Sequence, residues 1–221
     1  MQPTRTLTAH CTLSHPADGQ PLLTIDNEHA KAEISLFGAH VLRYQRHGEP
    51  ASLWLSDKAV LDGSKPIRGG IPLCWPWFGP APARVGSGKP AHGFARTSLW
   101  TLDGVSDHGD GTLVHLSLRD TAASRALWPH AFELELDVLV GKELSLVLPT
   151  RNTGKTPLTY NAALHTYLQI SAPEAVSVTG LGEPYADKLT GQDGQQQGAL
   201  TLIAAIDRVY HQAGAMVMVK D

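Results

Sequence analysis

Hydrophobic and polar positions alternate with a period of two along much of the chain. Ala32, Ile34 and Leu36 alternate with Glu33 and Ser35, and Val114, Leu116 and Leu118 with His115 and Ser117. The longest run sets Phe132, Leu134, Leu136, Val138 and Val140 against Glu133, Glu135 and Asp137. It meets Gly141-Lys142 and resumes at Leu144, Leu146 and Leu148. Successive side chains of a strand point to opposite faces, so each run predicts a strand with one buried face. Two such runs joined by two residues, one of them glycine, predict an antiparallel hairpin. Apolar residues at i, i+3, i+4 and i+7 are not supplied by these segments, so helices are not expected there. The pattern predicts an all-β fold, a large antiparallel β-sandwich or a barrel-like pair of sheets.

One alternating segment mixes an apolar face with a chemically versatile one. In a strand from Leu158 to Ile170, one face carries Leu158, Tyr160, Ala162, Leu164, Thr166, Leu168 and Ile170. The other carries Thr159, Asn161, Ala163, His165, Tyr167 and Gln169, which suits either a polar ligand cleft or an ordinary solvated face. Two stretches break the alternation. Arg68 to Pro80 packs three aromatics, three prolines and three glycines into 13 residues, which predicts a structured loop because proline cannot donate to a sheet ladder. Its Trp75 and Trp77 could stack on a sugar-like ring or plug the end of the core. Gly191 to Gly198 is polar and glycine-rich and predicts an exposed loop. No fixed-period repeat and no domain boundary stand out, so residues 1–221 are expected to form a single domain. Ala215 to Asp221 read as a strand cut off mid-course.

Composition narrows the classes. The 221 residues are 42% hydrophobic and only 18% charged, which excludes a disordered chain. Fifteen prolines and 21 glycines argue against a helix bundle. A net charge of −3, without a basic run, argues against a nucleic-acid partner. No apolar stretch reaches the ~20 residues of a bilayer span, and no apolar segment follows the N-terminus as in a secretory signal, so no membrane partner is expected. Cys11 and Cys74 read as two free thiols in a reducing cytoplasm. The 11 histidines show no metal-site spacing, so neither metal nor cofactor is expected. Gly86-Ser-Gly-Lys89 fails as a phosphate loop, because Ala83 and Pro90 stand where glycine and Ser or Thr are required. The glycine-flanked nucleophile motif of serine hydrolases is absent.

Five polar residues remain at the edges of apolar runs: Arg68, His92, Arg96, His165 and Asp207. Each alone has a bland explanation, such as a surface charge or, for Asp207-Arg208, a local ion pair. They fall, however, within or beside longer motifs. Ile67-Arg-Gly-Gly-Ile-Pro-Leu-Cys-Trp-Pro-Trp-Phe-Gly79, Pro90-Ala-His-Gly-Phe-Ala-Arg96 and Ala163-Leu-His-Thr-Tyr167 resemble the hallmarks of the hexose-6-phosphate mutarotases. These are glucose-6-phosphate 1-epimerases of the aldose 1-epimerase superfamily. Ser35 to His40, Leu53 to Ser56, Trp128 to His130, Val178 to Gly182 and Asp207 to Tyr210 follow in the family's order.

The resemblance implies a galactose mutarotase-like β-sandwich and a cofactor-independent isomerase that interconverts the α and β anomers of hexose 6-phosphates. It implies His165 as the catalytic acid, since an imidazole gives and retakes a proton near neutrality. It implies His92 as a hydrogen-bond partner near the ring oxygen. Arg68 and Asp207 would bind hydroxyls or phosphate, Arg96 would grip phosphate through its guanidinium fork, and Trp75 and Trp77 would wall the pocket. The family's general base is a glutamate on a late strand, and no glutamate follows Glu183 here. The chain is therefore expected to lack the family's C-terminal strands. That leaves a second reading open, a non-catalytic module binding a sugar or sugar phosphate.

Overall fold

A computed structural model describes residues 3–221. The backbone divides into two compact units, Met1–Leu168 and Gln169–Asp221. The first unit holds two antiparallel sheets. One runs β1 (Arg5–Thr6), β2 (Cys11–Ser14), β3 (Leu22–Asp26), β4 (Ala30–Ser35) and β5 (His40–Arg46) in sequence order. A two-residue strand, β6 (Leu73–Cys74), follows. The second sheet comprises β7 (Thr101–His108), β8 (Gly111–Arg119), β9 (Phe132–Gly141) and β10 (Leu144–Val147), with β11 (Thr150–Asn152) also on β9. A single helical turn and a half, α1 (Ala122–Leu127), links β8 to β9 and is closed by a reciprocal cap between Thr121 and Ser124.

Alternation becomes burial as expected. Leu23, Ile25, Ile34 and Val41 of the first sheet share a core with Val114, Leu116, Leu134 and Leu136 of the second. Burying a side chain of this size removes it from water with a gain of about 1.5–3 kcal/mol. Polar bonds also link the sheets. Asn27 donates from Nδ2 to the Val140 carbonyl at 2.8 Å, and the Tyr44 hydroxyl donates to Gly141 O at 2.9 Å. The β9–β10 hairpin forms with Leu144 opposite Val140. Gly141 ends β9 and the link is Lys142-Glu143, with Gly141 N–H donating to Glu143 O. Glycine is required there, since a Cβ on Gly141 would lie 2.1 Å from Asp110 O.

The segment Leu158–Ile170 departs from the regular strand its alternation predicts. Only β12 (Ala163–Leu164) is a strand by pairing, opposite Cys74 and Leu73 of β6. Yet the same register extends both ways. Asn161, His165 and Tyr167 donate their N–H groups to Pro76, Pro72 and Gly70 carbonyls at 3.1, 3.1 and 2.9 Å. Pro76 and Pro72 have no N–H to return, so the ladder is one-sided at those two pairs. The proline-rich stretch is therefore more than a loop. It lies along residues 161–167 on one side and is tied to β5 on the other, where Ile71 N–H reaches Val41 O at 2.9 Å.

The second unit contains two three-stranded antiparallel sheets. β13 (Ser177–Thr179) pairs with β16 (Leu200–Thr201) and β18 (Met218–Lys220). β14 (Pro184–Asp187) pairs with β15 (Asp193–Gln195) and β17 (Arg208–Tyr210). The Gly191–Gly198 stretch, expected as a loop, thus supplies β15 while remaining largely exposed. Among the described residues no helix is long and apolar enough to cross a membrane.

Candidate active site

The one-sided ladder puts Asn161, His165 and Tyr167 on one face, and that face meets the proline-rich segment. Phe78 N–H donates to Asn161 Oδ1 at 2.6 Å, which holds the Phe78 ring at the surface, 42% exposed. Phe78 then stands 5.8 Å from the His165 ring and 5.0 Å from the His92 ring, with the two histidine rings 6.3 Å apart, centroid to centroid. His165 continues the row to Tyr167 at 5.1 Å, and Tyr167 to Trp54 at 5.8 Å. The Arg68 guanidinium carbon lies 6.0 Å from the Trp54 ring, at the outer limit of a cation–π contact. Four residues from three separate stretches of the first unit, Arg68 with Phe78, His92 and His165, are thereby brought onto one continuous surface.

His92 is fixed through both its backbone and its ring. Its backbone has a φ of 64°, a left-handed conformation that costs a non-glycine residue energy. Two bonds to one residue hold it there. His92 N–H donates to Gly79 O at 2.7 Å, and Gly79 N–H donates to His92 Nδ1 at 3.1 Å. A ring nitrogen that accepts an N–H is unprotonated, so the neutral ring carries its hydrogen on Nε2 and is a donor there. Burial, then the positive charge of Arg96, then His165, push the His92 pKa below the usual imidazole range, which keeps that tautomer neutral at pH 7.

Arg96 lies in a short 3-10 turn, Ala95–Thr97, where its Nη2 donates to Ala91 O at 3.0 Å. Its Nε is buried with no hydrogen-bond partner among the described residues, and its charge acts on His40, Cys74 and His92. A cation with an unpaired buried donor is suited to an anion.

The tryptophans follow the core alternative. Trp75 and Trp77 are 0% and 1% exposed, so neither can wall a solvent-accessible pocket. Trp75 packs against Phe94, Trp128 and Phe132, and Trp77 Nε1 donates to Pro90 O at 2.9 Å. Alternation turns both rings inward and leaves Phe78 as the exposed aromatic of that loop. Phe78, Trp54 and Asn161 had no role assigned from sequence. The third aromatic of the stretch, directly after Trp75-Pro-Trp77 and of opposite parity to both tryptophans, was the available signal for Phe78.

Asp207 belongs to the second unit, where its side chain is exposed and its carbonyl accepts Lys188 N–H at 2.7 Å. The ion pair considered for Asp207-Arg208 is instead made by Asp187, whose Oδ2 lies 3.2 Å from Arg208 Nε. An open cavity of about 680 Å³ also lies in this unit, bordered by Val178–Glu183 and Gln195–Ala199. Glu183 is its one titratable side chain, so it offers little acid–base chemistry.

The family model described as aldose 1-epimerase matches residues 21–221. This chain belongs to the aldose 1-epimerase family. A relative from Escherichia coli K12, named "Putative glucose-6-phosphate 1-epimerase", is 37% identical over 195 residues, 87% of this chain and 64% of the relative. A Salmonella typhimurium relative of the same name is 34% identical over 92% of this chain and 68% of its own length. The chain thus spans 52–68% of the length of these and two further curated relatives. The crystal structure of a "putative mutarotase" from Salmonella typhimurium superposes with a TM-score of 0.91 at 33% identity, covering 99% of this chain and 72% of that one. A galactose 1-epimerase from Lactobacillus acidophilus, at 17% identity and a TM-score of 0.61, shares the fold. The galactose mutarotase-like, all-β architecture of this aldose 1-epimerase family member is therefore established.

Proposed function

We propose that the protein is an isomerase interconverting the α and β anomers of hexose 6-phosphates, with the His165–His92 surface as its catalytic face. The observation carrying this reading is the proximity of two histidines and Phe78, with Arg68 on the same surface, all from the motifs that mark the family. Mutarotation needs one proton delivered to the ring oxygen and one taken from the anomeric hydroxyl. The C1–O5 bond then breaks to an open-chain aldehyde, the C1–C2 bond rotates, and O5 attacks the other carbonyl face as the protons return. We assign the acid role to His165, and to His92 a hydrogen bond from Nε2–H to the sugar near that oxygen. Phe78 offers its ring to the apolar face of the sugar, and Arg96 and Arg68 offer guanidinium donors to the phosphate dianion. The family's base glutamate is matched by no residue of this sequence. Two buried free thiols, Cys11 and Cys74, support a cytoplasmic setting.

That no residue of this sequence matches the family's base glutamate supports a second reading, a site that binds sugar phosphate without turning it over. Calorimetry with millimolar glucose 6-phosphate, combined with anomer exchange followed by NMR, separates the two. Heat with accelerated exchange supports the isomerase, and heat without it supports the binding module. No heat and no acceleration overturn both.

A further inference from the structure

His40, at the first position of β5, is fully buried, and its ring is not used by the chemistry above. Its Nε2 lies 2.7 Å from the Gly69 carbonyl. A carbonyl can only accept, so Nε2 carries the hydrogen and Nδ1 has none. Nδ1 is buried with no partner among the described residues, so the ring makes this single directed bond. Burial drives its pKa down to about 4, with Arg96 adding to the effect and the Gly69 bond opposing it, so the donor form is uncharged at neutral pH.

The bond falls at a demanding place in the backbone. Gly69 and Gly70 have φ values of 114° and 60°, and both are buried directly after the exposed Arg68. A Cβ on Gly70 would lie 2.3 Å from Val41 O and 3.0 Å from His40 Nε2, so the turn is pressed against the start of β5. Three consecutive carbonyls here are each taken by a different donor. Arg68 O accepts Ser56 N–H at 3.1 Å, and Gly70 O accepts Tyr167 N–H at 2.9 Å. Gly69 O takes the His40 ring, the only side-chain donor of the three.

We infer that His40 is a positioning residue, whose ring pins the Arg68-Gly69-Gly70 turn and so sets where the Arg68 guanidinium meets an anionic substrate group. The part concerning the anion rests on the hexose 6-phosphate reading; the grip on the turn does not. Gln can place an N–H donor near the Nε2 position, whereas Leu fills the space and leaves Gly69 O buried without a donor.

The test compares the wild-type chain, His40→Leu and His40→Gln by amide hydrogen exchange and by calorimetry with glucose 6-phosphate. In His40→Leu the amides of Ser56, Gly70 and Tyr167 should exchange at least about tenfold faster, while those of β8 stay unchanged. His40→Gln should return them to within about threefold of wild type. The dissociation constant for glucose 6-phosphate should rise about tenfold in His40→Leu, and the same change should have no effect in an Arg68→Ala background. Unchanged exchange at the three amides, equal acceleration throughout the first unit, or additive losses with Arg68→Ala would each overturn the proposal. If wild type binds no glucose 6-phosphate, the functional reading fails and the role towards the anion with it. The exchange comparison still decides whether His40 pins the turn.

Discussion

Acid should weaken the first unit through His40 by an amount that can be worked out. An imidazole free in the unfolded chain titrates near 6.5, and burial lowers that of His40 to about 4 in the fold. Between those values the unfolded state binds a proton that the folded state refuses, so stability falls as pH falls through this window. Above 6.5 the penalty is absent, and below 4 it levels off. Two and a half pKa units correspond to about 3 kcal/mol, of which about 2 kcal/mol is already lost at pH 5. Other groups titrate in the same range, and a His40→Gln variant cancels them because glutamine does not ionise. The assay is urea unfolding of both proteins at pH 7, 5 and 4, followed by tryptophan fluorescence. All five tryptophans lie before residue 169, so the signal reports the first unit. The wild type should lose about 2 kcal/mol more than His40→Gln between pH 7 and pH 5. A difference between the two proteins that stays constant with pH, to within about 0.5 kcal/mol, would refute the reasoning.

Other substitutions probe the parts that position the site. Gly93→Ala forces a side chain into a φ of 67° with its Cβ 2.0 Å from Trp75 O, and should cost well over 1 kcal/mol by urea unfolding. Phe132→Ala removes a ring packed 4.6 Å from Trp75 and should cost about 3–5 kcal/mol in the same measurement. Phe78→Ala removes an exposed ring, so stability should stay within about 0.5 kcal/mol while the glucose 6-phosphate dissociation constant rises several-fold by calorimetry.

Period-two alternation carried most of the architecture, because a residue in a half-buried strand shows its orientation directly in its polarity. β4, β8, β9 and the β9–β10 hairpin lie where Ile34, Leu116 and Leu136 place them. The Leu158–Ile170 segment shows the limit of that signal. Its polar face was legible, but the ladder depends on Pro72 and Pro76 some 90 positions away, which local alternation cannot register. The convergence of Arg68, His92 and His165 rested on resemblance rather than periodicity, since these residues come from three separate stretches of chain. Trp75 and Trp77 show a further limit: aromatic residues in a loop fit either a ligand wall or a core, and only packing against Phe94, Trp128 and Phe132 decides. His40 closes the Ser35–His40 motif with no role legible in the sequence, because its partner is a backbone carbonyl whose identity no sequence displays.

The most direct measurement of the central proposal is two-dimensional exchange NMR of the anomeric protons of glucose 6-phosphate, with the 221-residue chain and its His165→Ala variant. The account predicts exchange well above the buffer rate with the wild-type chain and a fall of about 10²–10⁴ in the variant. An equal exchange rate for the two proteins, or a wild-type rate no faster than buffer, would contradict it.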